Sequence, residues 1–246
     1  MENLMAINFS DLGGGGGGKT LVWKEFLSTS SWTVPADVTQ IKAFVCGGGG
    51  GGIRATSGSV DACTGGFGSA EEKIFTVTPG TVYTITIGAG GAKLQTSSSS
   101  GFGNTGGTSS IGALFSLAGG DGGGYANGEL WKSYNLMNET GPQGRGGTGG
   151  RSGKNTTGSP FAATKGLNGR GGGGGAHFND GSVPQPMAPG EDGGGIPWVS
   201  DQDNLRTLGP DAQTNSGAGG ASSARDYAGH GNGGSGYVLL TYSTAG

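Results

Sequence analysis

Apolar and polar residues alternate in a few short stretches of the first half of the chain, and once more at its end. That period-two pattern is the mark of strands with one buried face. Residues 20–27 give one such strand, and residues 31–34 give another that stops at Pro35. Residues 39–46 (TQIKAFVC) place Ile41, Ala43 and Val45 on one face. Residues 70–77 and 81–87 read as a hairpin turned by Thr78-Pro79-Gly80, with Tyr83, Ile85 and Ile87 sharing a face. Residues 108–117 read as a weaker pair broken at Gly112. Residues 236–242 (GYVLLTY) form the last strand, about 120 residues beyond the nearest earlier one. It must return to the same sheet, so the stretch 119–235 reads as an insertion into one β-sandwich. No helix longer than two turns fits the pattern, and residues 129–138 are the only candidate.

Composition changes this picture. Of 246 residues, 61 are glycine, and they fall in runs at 13–18, 47–52, 122–124, 171–175 and 193–195. Elsewhere they keep a three-residue register, at Gly141, Gly144, Gly147, Gly150 and Gly153, and at Gly166, Gly169, Gly172 and Gly175. Three residues per turn is the period of the polyproline II helix, and glycine at every turn lets such helices approach with no side chain between them. Backbone hydrogen bonds between neighbouring helices then do the packing that side chains do elsewhere. The expected fold class is therefore mainly β: a small β-sandwich with an inserted polyglycine II (polyproline II-like) helix bundle and connecting loops. Residues 1–19 read as an attachment segment with a glycine linker, and residues 20–246 as the glycine-rich domain. Disorder is the competing reading, because Leu, Ile, Val and Phe make up about 17% of the chain. Disorder by that route also needs a high net charge, and the balance here is only -3.

Between the glycine runs lie segments with neither strand nor helix period. Residues 129–140 carry Trp131 and Tyr134, residues 176–192 carry His177 and Phe178, residues 196–213 carry Trp198 and Arg206, and residues 221–230 carry Arg225 and Tyr227. Extended helices must be joined at their ends, so these loops should gather at the ends of the bundle. A rigid scaffold that displays irregular aromatic loops is the architecture of a binding surface. Trp131, Tyr134, Phe178, Trp198, Arg206 and Tyr227 are the candidate receptor-binding residues, since Trp, Tyr and Arg dominate binding hot spots. The competing role for the aromatics is to fold back and cap the bundle.

Charge and motifs narrow the function classes. Mixed signs near neutrality argue against a nucleic acid partner or an anionic membrane surface. No run approaches the length of a membrane span, so membrane insertion is not expected. The first twelve residues have neither a basic n-region nor an apolar h-region, so no secretory signal is expected. Cys46 and Cys63 are read as two free thiols of a chain made in a reducing cytoplasm, a single bridge being the alternative. Residues 13–20 (GGGGGGKT) match a phosphate-binding loop letter for letter. That chemistry needs a buried strand before the loop and a helix after it. Here polar INFSDL precedes and LVWKEFLSTSSWTVP follows, so the run reads as a flexible tether. His177 and His230 have no zinc spacing, and Asp201-Gln202-Asp203-Asn204 lacks the rest of a calcium loop. No metal, cofactor or catalytic residue is assigned, and an enzyme is not expected.

The segments SWTVPADVTQIKAFVCGGGGGG, GGFGSAEEKIFTVTPGTVYTITIGAGG, GNTGGTSSIGALFSLAGGDGGG and GNGGSGYVLLTYS resemble the glycine-rich domain of bacteriophage tail proteins. The resemblance spans residues 31–243. More loosely the chain is similar to the distal tail-fibre adhesins of T-even-type phages, where loops joining polyglycine helices at the fibre tip contact the bacterial receptor. A remoter similarity is to the glycine-rich extracellular region of anaplastic-lymphoma-kinase-type receptors. The first resemblance implies a virion component of the tail, and the second implies that it binds a host surface receptor, whether protein, pilus or lipopolysaccharide. It also implies contact with other tail or fibre proteins through the N-terminal segment, and a homo-oligomer such as a trimer. The alternatives in other classes are a structural baseplate or fibre adaptor that never touches the host, and a tail enzyme that degrades surface glycan.

Overall fold

The structure is a computed structural model and describes residues 3–8, 18–55, 64–96, 100–126, 176–177, 211–224 and 230–245. Two antiparallel sheets form a sandwich. The five-stranded sheet takes β1 (Asn3–Asn8), β2 (Lys19–Phe26), β4 (Gln40–Cys46), β6 (Ala70–Thr76) and β15 (Tyr237–Ala245), in the order β1-β2-β15-β4-β6. The four-stranded sheet takes β3 (Ser30–Thr33), β7 (Val82–Thr86), β10 (Ser109–Ile111) and β11 (Phe115–Leu117), in the order β11-β10-β7-β3. No helix occurs among the described residues.

The core lies where the inward positions of the strands meet. Ile41, Ala43 and Val45 of β4 are buried, as are Val22 and Phe26 of β2, Val238, Leu240 and Tyr242 of β15, and Ile85 and Ile111 of the facing sheet. Trp32 closes the cluster, stacked on Tyr83 with ring centroids 6.2 Å apart. The C-terminal strand does return to the sheet and becomes its middle member, paired with β2 on one side and β4 on the other.

One strand connection differs from the sequence reading. The turn at Pro79-Gly80 forms, with Gly80 at φ 77° and Thr81 N–H donating to Thr78 O at 3.1 Å. The strands it joins do not pair with each other, because β6 lies against β4 along its whole length while β7 lies between β3 and β10. The segment is therefore a corner between sheets rather than a hairpin. The reason is that β4 presents seven consecutive register partners to β6, leaving β7 free to cover the opposite side of the core. At Gly112, with φ 48°, a true hairpin forms between β10 and β11.

A glycine array stands on one end of the sandwich. Residues 47–52 continue β4, and their six amide groups point outward in a three-residue rotation. Gly47 and Gly50 donate to Ser69 and Gly66, Gly48 and Gly51 to Gly107 and Asn104, and Gly49 and Gly52 to Gly234 and Gly231, all at 2.7–2.9 Å. The carbonyls rotate in the same way. Gly48 and Gly51 accept from Gly120 and Gly123, Gly49 and Gly52 accept from Gly91 and Leu94, and Gly50 accepts from Gly220. The inner segment thus has six neighbours among the described residues. Around it run, in order, residues 64–69, 118–123, 103–107, 88–94, 231–236 and 217–221, each bonded to the next.

Direction alternates around this ring. Residues 88–94, 118–123 and 217–221 run parallel to the inner segment, away from the sandwich, and donate to it. Residues 64–69, 103–107 and 231–236 run back toward the sandwich, accept from the inner segment and donate to their two parallel neighbours. The inner run is pure glycine because it is enclosed on every side. A Cβ on Gly47, Gly48, Gly49, Gly50 or Gly51 would lie 1.8–2.2 Å from a backbone carbonyl oxygen of a parallel neighbour. Ring segments need glycine at only part of their positions, and read Gly-Gly-X, as in Ala118-Gly119-Gly120-Asp121 and Ala89-Gly90-Gly91-Ala92.

The sequence reading placed the glycine helices in an insertion at 119–235. The described residues do not show that inserted bundle. They show an array that draws on connections throughout the sandwich, with its centre at 47–52. The periodic stretches 141–153 and 166–175, and the candidate helix at 129–138, lie outside the described residues.

Candidate functional site

The end of the array remote from the sandwich gathers the chain's irregular connections. There the inner segment passes into β5 (Ile53–Ala55), flanked in parallel by β8 (Leu94–Thr96) and β14 (Ser222–Ala224), with β13 (Ala176–His177) outside β14. A second pair, β9 (Ser100–Phe102) and β12 (Gly124–Ala126), stands beside them. Strand β5 continues the inner segment, and β8, β9, β12 and β14 directly adjoin ring segments in the chain. Ala55, Thr96, Ala126 and Ala224 are the described ends of outward-running chain, and His177 ends a strand parallel to β14. Thr64, Ser100, Asp211 and His230 are where the chain re-enters in the inward direction. The intervals 56–63, 97–99, 127–175, 178–210 and 225–229 thus all begin and end at this distal end.

All six candidate receptor-binding residues fall in these intervals. Trp131 and Tyr134 belong to 127–175, Phe178, Trp198 and Arg206 to 178–210, and Tyr227 to 225–229. Their side chains lie outside the described residues, as do Cys63 and the Asp201–Asn204 run.

The described residues near this end form a polar clamp. Asn232 Oδ1 accepts from Lys93 N–H at 3.0 Å, Asn232 N–H donates to Asp211 Oδ1 at 2.7 Å, and Lys93 Nζ stands 3.7 Å from the same Asp211 oxygen. Lys93 and Asp211 are both exposed, so the ion pair itself contributes little. The two backbone bonds fix where the interval 178–210 rejoins the array. Phe102 on β9 is 41% exposed, and Asn104 and Thr105 beside it are also exposed. Sequence reasoning passed over Lys93, Phe102 and Asn104.

Other motifs find structural roles. Lys19 and Thr20 open strand β2, so the residues after the 13–18 glycine run form a strand where a phosphate-binding loop requires a helix. Cys46 is fully buried, with its Sγ 3.5–4.0 Å from the carbonyls of Gly47, Gly68 and Ser216. It sits where strand β4 becomes the inner segment. Among the described residues no cluster of His, Cys, Asp and Glu is placed to hold a metal ion, and no helix is long and apolar enough to cross a membrane.

No curated protein matches the chain. A family model described as a glycine-rich domain matches residues 24–243, which covers the array, the intervals between its segments and the sandwich from the end of β2 onward, but not β1. On that match the chain belongs to the glycine-rich domain family.

Proposed function

We propose that this chain is a receptor-binding protein of a bacteriophage tail or tail-fibre tip, with the sandwich toward the particle and the distal end of the array toward the host. One observation carries the reading. Five intervals begin and end at the same end of a backbone-bonded array, and three of them, 127–175, 178–210 and 225–229, carry all six candidate residues. We also infer that the array is of the polyglycine II type. Its donors turn through a full circle every three residues, and its described segments bond to neighbours rather than to themselves. Such a base holds the ends of the intervals stiffly, so little entropy is lost on binding. Trp131, Phe178 and Trp198 are the proposed anchors, with Tyr134, Arg206 and Tyr227 beside them.

The test is adsorption of the purified, labelled chain to bacterial cells, run with electron microscopy of virions carrying a label on this chain. Trp131→Ala, Phe178→Ala and Trp198→Ala should each weaken adsorption by roughly thirtyfold, which corresponds to about 2 kcal/mol for a true anchor. Melting temperature should stay at the parent value. A loss of melting temperature with adsorption retained would make these residues caps of the array. Parent-like adsorption by all three variants would replace the adhesin with a structural adaptor, and turnover of surface glycan would replace it with an enzyme.

A further inference from the structure

We propose that the outer edge of β2 is a strand-exchange site, and that its partner in an assembly is Asn3–Asn8 of a second copy of this chain. The inference does not rest on host contact. Strand β1 is the outermost member of the five-stranded sheet and pairs with β2 alone, from Asn3↔Glu25 to Asn8↔Thr20. Without it, β2 would present an unpaired ladder, which is a template for another strand. The opposite edge of the sheet is protected differently. Strand β6 carries Glu71, Glu72 and Lys73 in succession, with Glu72 paired to Lys42 at 3.2 Å. Charged residues of this kind discourage edge pairing. Strand β1 reads NLMAIN and has neither a charge nor a proline to oppose pairing.

The connection between β1 and β2 is longer than closure requires. Hairpins close with two to five residues. Here residues 9–18 intervene, and 13–18 are all glycine. Ten residues of chain can span at most roughly 33 Å. A strand on such a tether reaches the β2 edge of an adjacent copy while the rest of the chain stays in place. Every copy offers the same edge, and the exchanged ladder contains the same register pairs as the closed one. Closed and exchanged forms therefore differ mainly in chain entropy. The tether gives β1 an effective concentration on the order of 1 mM at its own β2. Dilute chains stay closed, and copies held side by side at or above that concentration exchange.

The test uses single cysteines in a Cys63→Ser background, with Cys46 left in place because it is buried. Asn8 and Thr20 are register partners, and directly opposed residues lie within disulfide reach. The double variant Asn8→Cys/Thr20→Cys should form a bridge within its own chain. Asn8→Cys protein mixed with Thr20→Cys protein, incubated at about 1 mM and then oxidised, should yield a covalent species of twice the chain mass. At roughly 10 μM the mixture should remain monomeric. The proposal is overturned if the mixture stays monomeric at the higher concentration while the double variant closes. It is equally overturned if either single variant links to itself as readily as the mixture does, or if the double variant fails to bridge, since the register itself is then wrong.

Discussion

Gly49→Ala is the sharpest perturbation of the array. The added Cβ would sit 1.8 Å from the carbonyl oxygen of Ala218 and 2.4 Å from its carbon. Segment 217–221 would have to move out by at least about 1.2 Å to restore a 3.0 Å contact, a distance real Cβ atoms essentially never undercut. That movement stretches Gly220 N–H to Gly50 O (3.0 Å), Gly234 N–H to Ala218 O (2.8 Å) and Gly65 N–H to Gly220 O (3.1 Å) beyond bonding distance. Three backbone bonds at about 1 kcal/mol each, with an over-packing cost of about 1–3 kcal/mol, outweigh the fraction of a kcal/mol gained from a stiffer unfolded chain. The net loss should be about 4 kcal/mol, or roughly 8–16 °C in melting temperature for a chain of this length. The control is Ala92→Ser, at an exposed ring position, which should stay within about 0.5 kcal/mol of the parent. Thermal and urea unfolding followed by circular dichroism reads both. If Gly49→Ala melts within about 2 °C of the parent, or if Ala92→Ser costs as much, close backbone approach is not what requires the glycine run.

Asn215 adopts φ 58° and its Nδ2 donates to Leu27 O at 2.9 Å and Gly236 O at 3.1 Å. Asn215→Gly keeps the backbone geometry and should lose about 2 kcal/mol, whereas Asn215→Ala adds a left-handed penalty of about 1–2 kcal/mol; equal stability of Ala and Asn in urea unfolding would refute both roles. In a Cys63→Ser protein, Cys46 should stay silent toward an aqueous thiol reagent until the chain unfolds, and stoichiometric labelling of the native protein would contradict its burial. Magnesium with ATP should leave the melting temperature unchanged, because β2 follows the 13–18 run; a saturable upward shift would reopen the nucleotide reading.

The sandwich was legible in the sequence because its strands alternate. Ile41, Ala43 and Val45 announce a buried face, and GYVLLTY announces a last strand that returns to the sheet. Which strand pairs with which was less legible. Thr78-Pro79-Gly80 marks a turn equally well whether the chain doubles back or crosses to the facing sheet, and only the partner on β4 decides. The place of the array was not legible. A register of three is easiest to see where it repeats for many turns, as at 141–153, and so attention fell there. Within the ring each segment is only five to seven residues long, and its neighbours come from distant parts of the chain. Gly49 touches residues 91, 218 and 234, a set that no local pattern contains. The candidate contact residues were picked from aromatic content. Their common point of departure became visible only once the directions of seven segments were known.

The alternation of direction in the array has a mechanical consequence. The outward and inward segments are the continuations of strands in both sheets, including β4, β6 and β15 in one and β7, β10 and β11 in the other. A pull applied at the distal end therefore runs along the segments and across their mutual bonds, loading many of them in shear at once rather than peeling them one after another. Force entering through any single connection is shared by its neighbours within a turn, and it leaves through six strands into one core. The glycine run at 47–52 acts as the axle of a short cable that joins the distal end to the whole thickness of the sandwich.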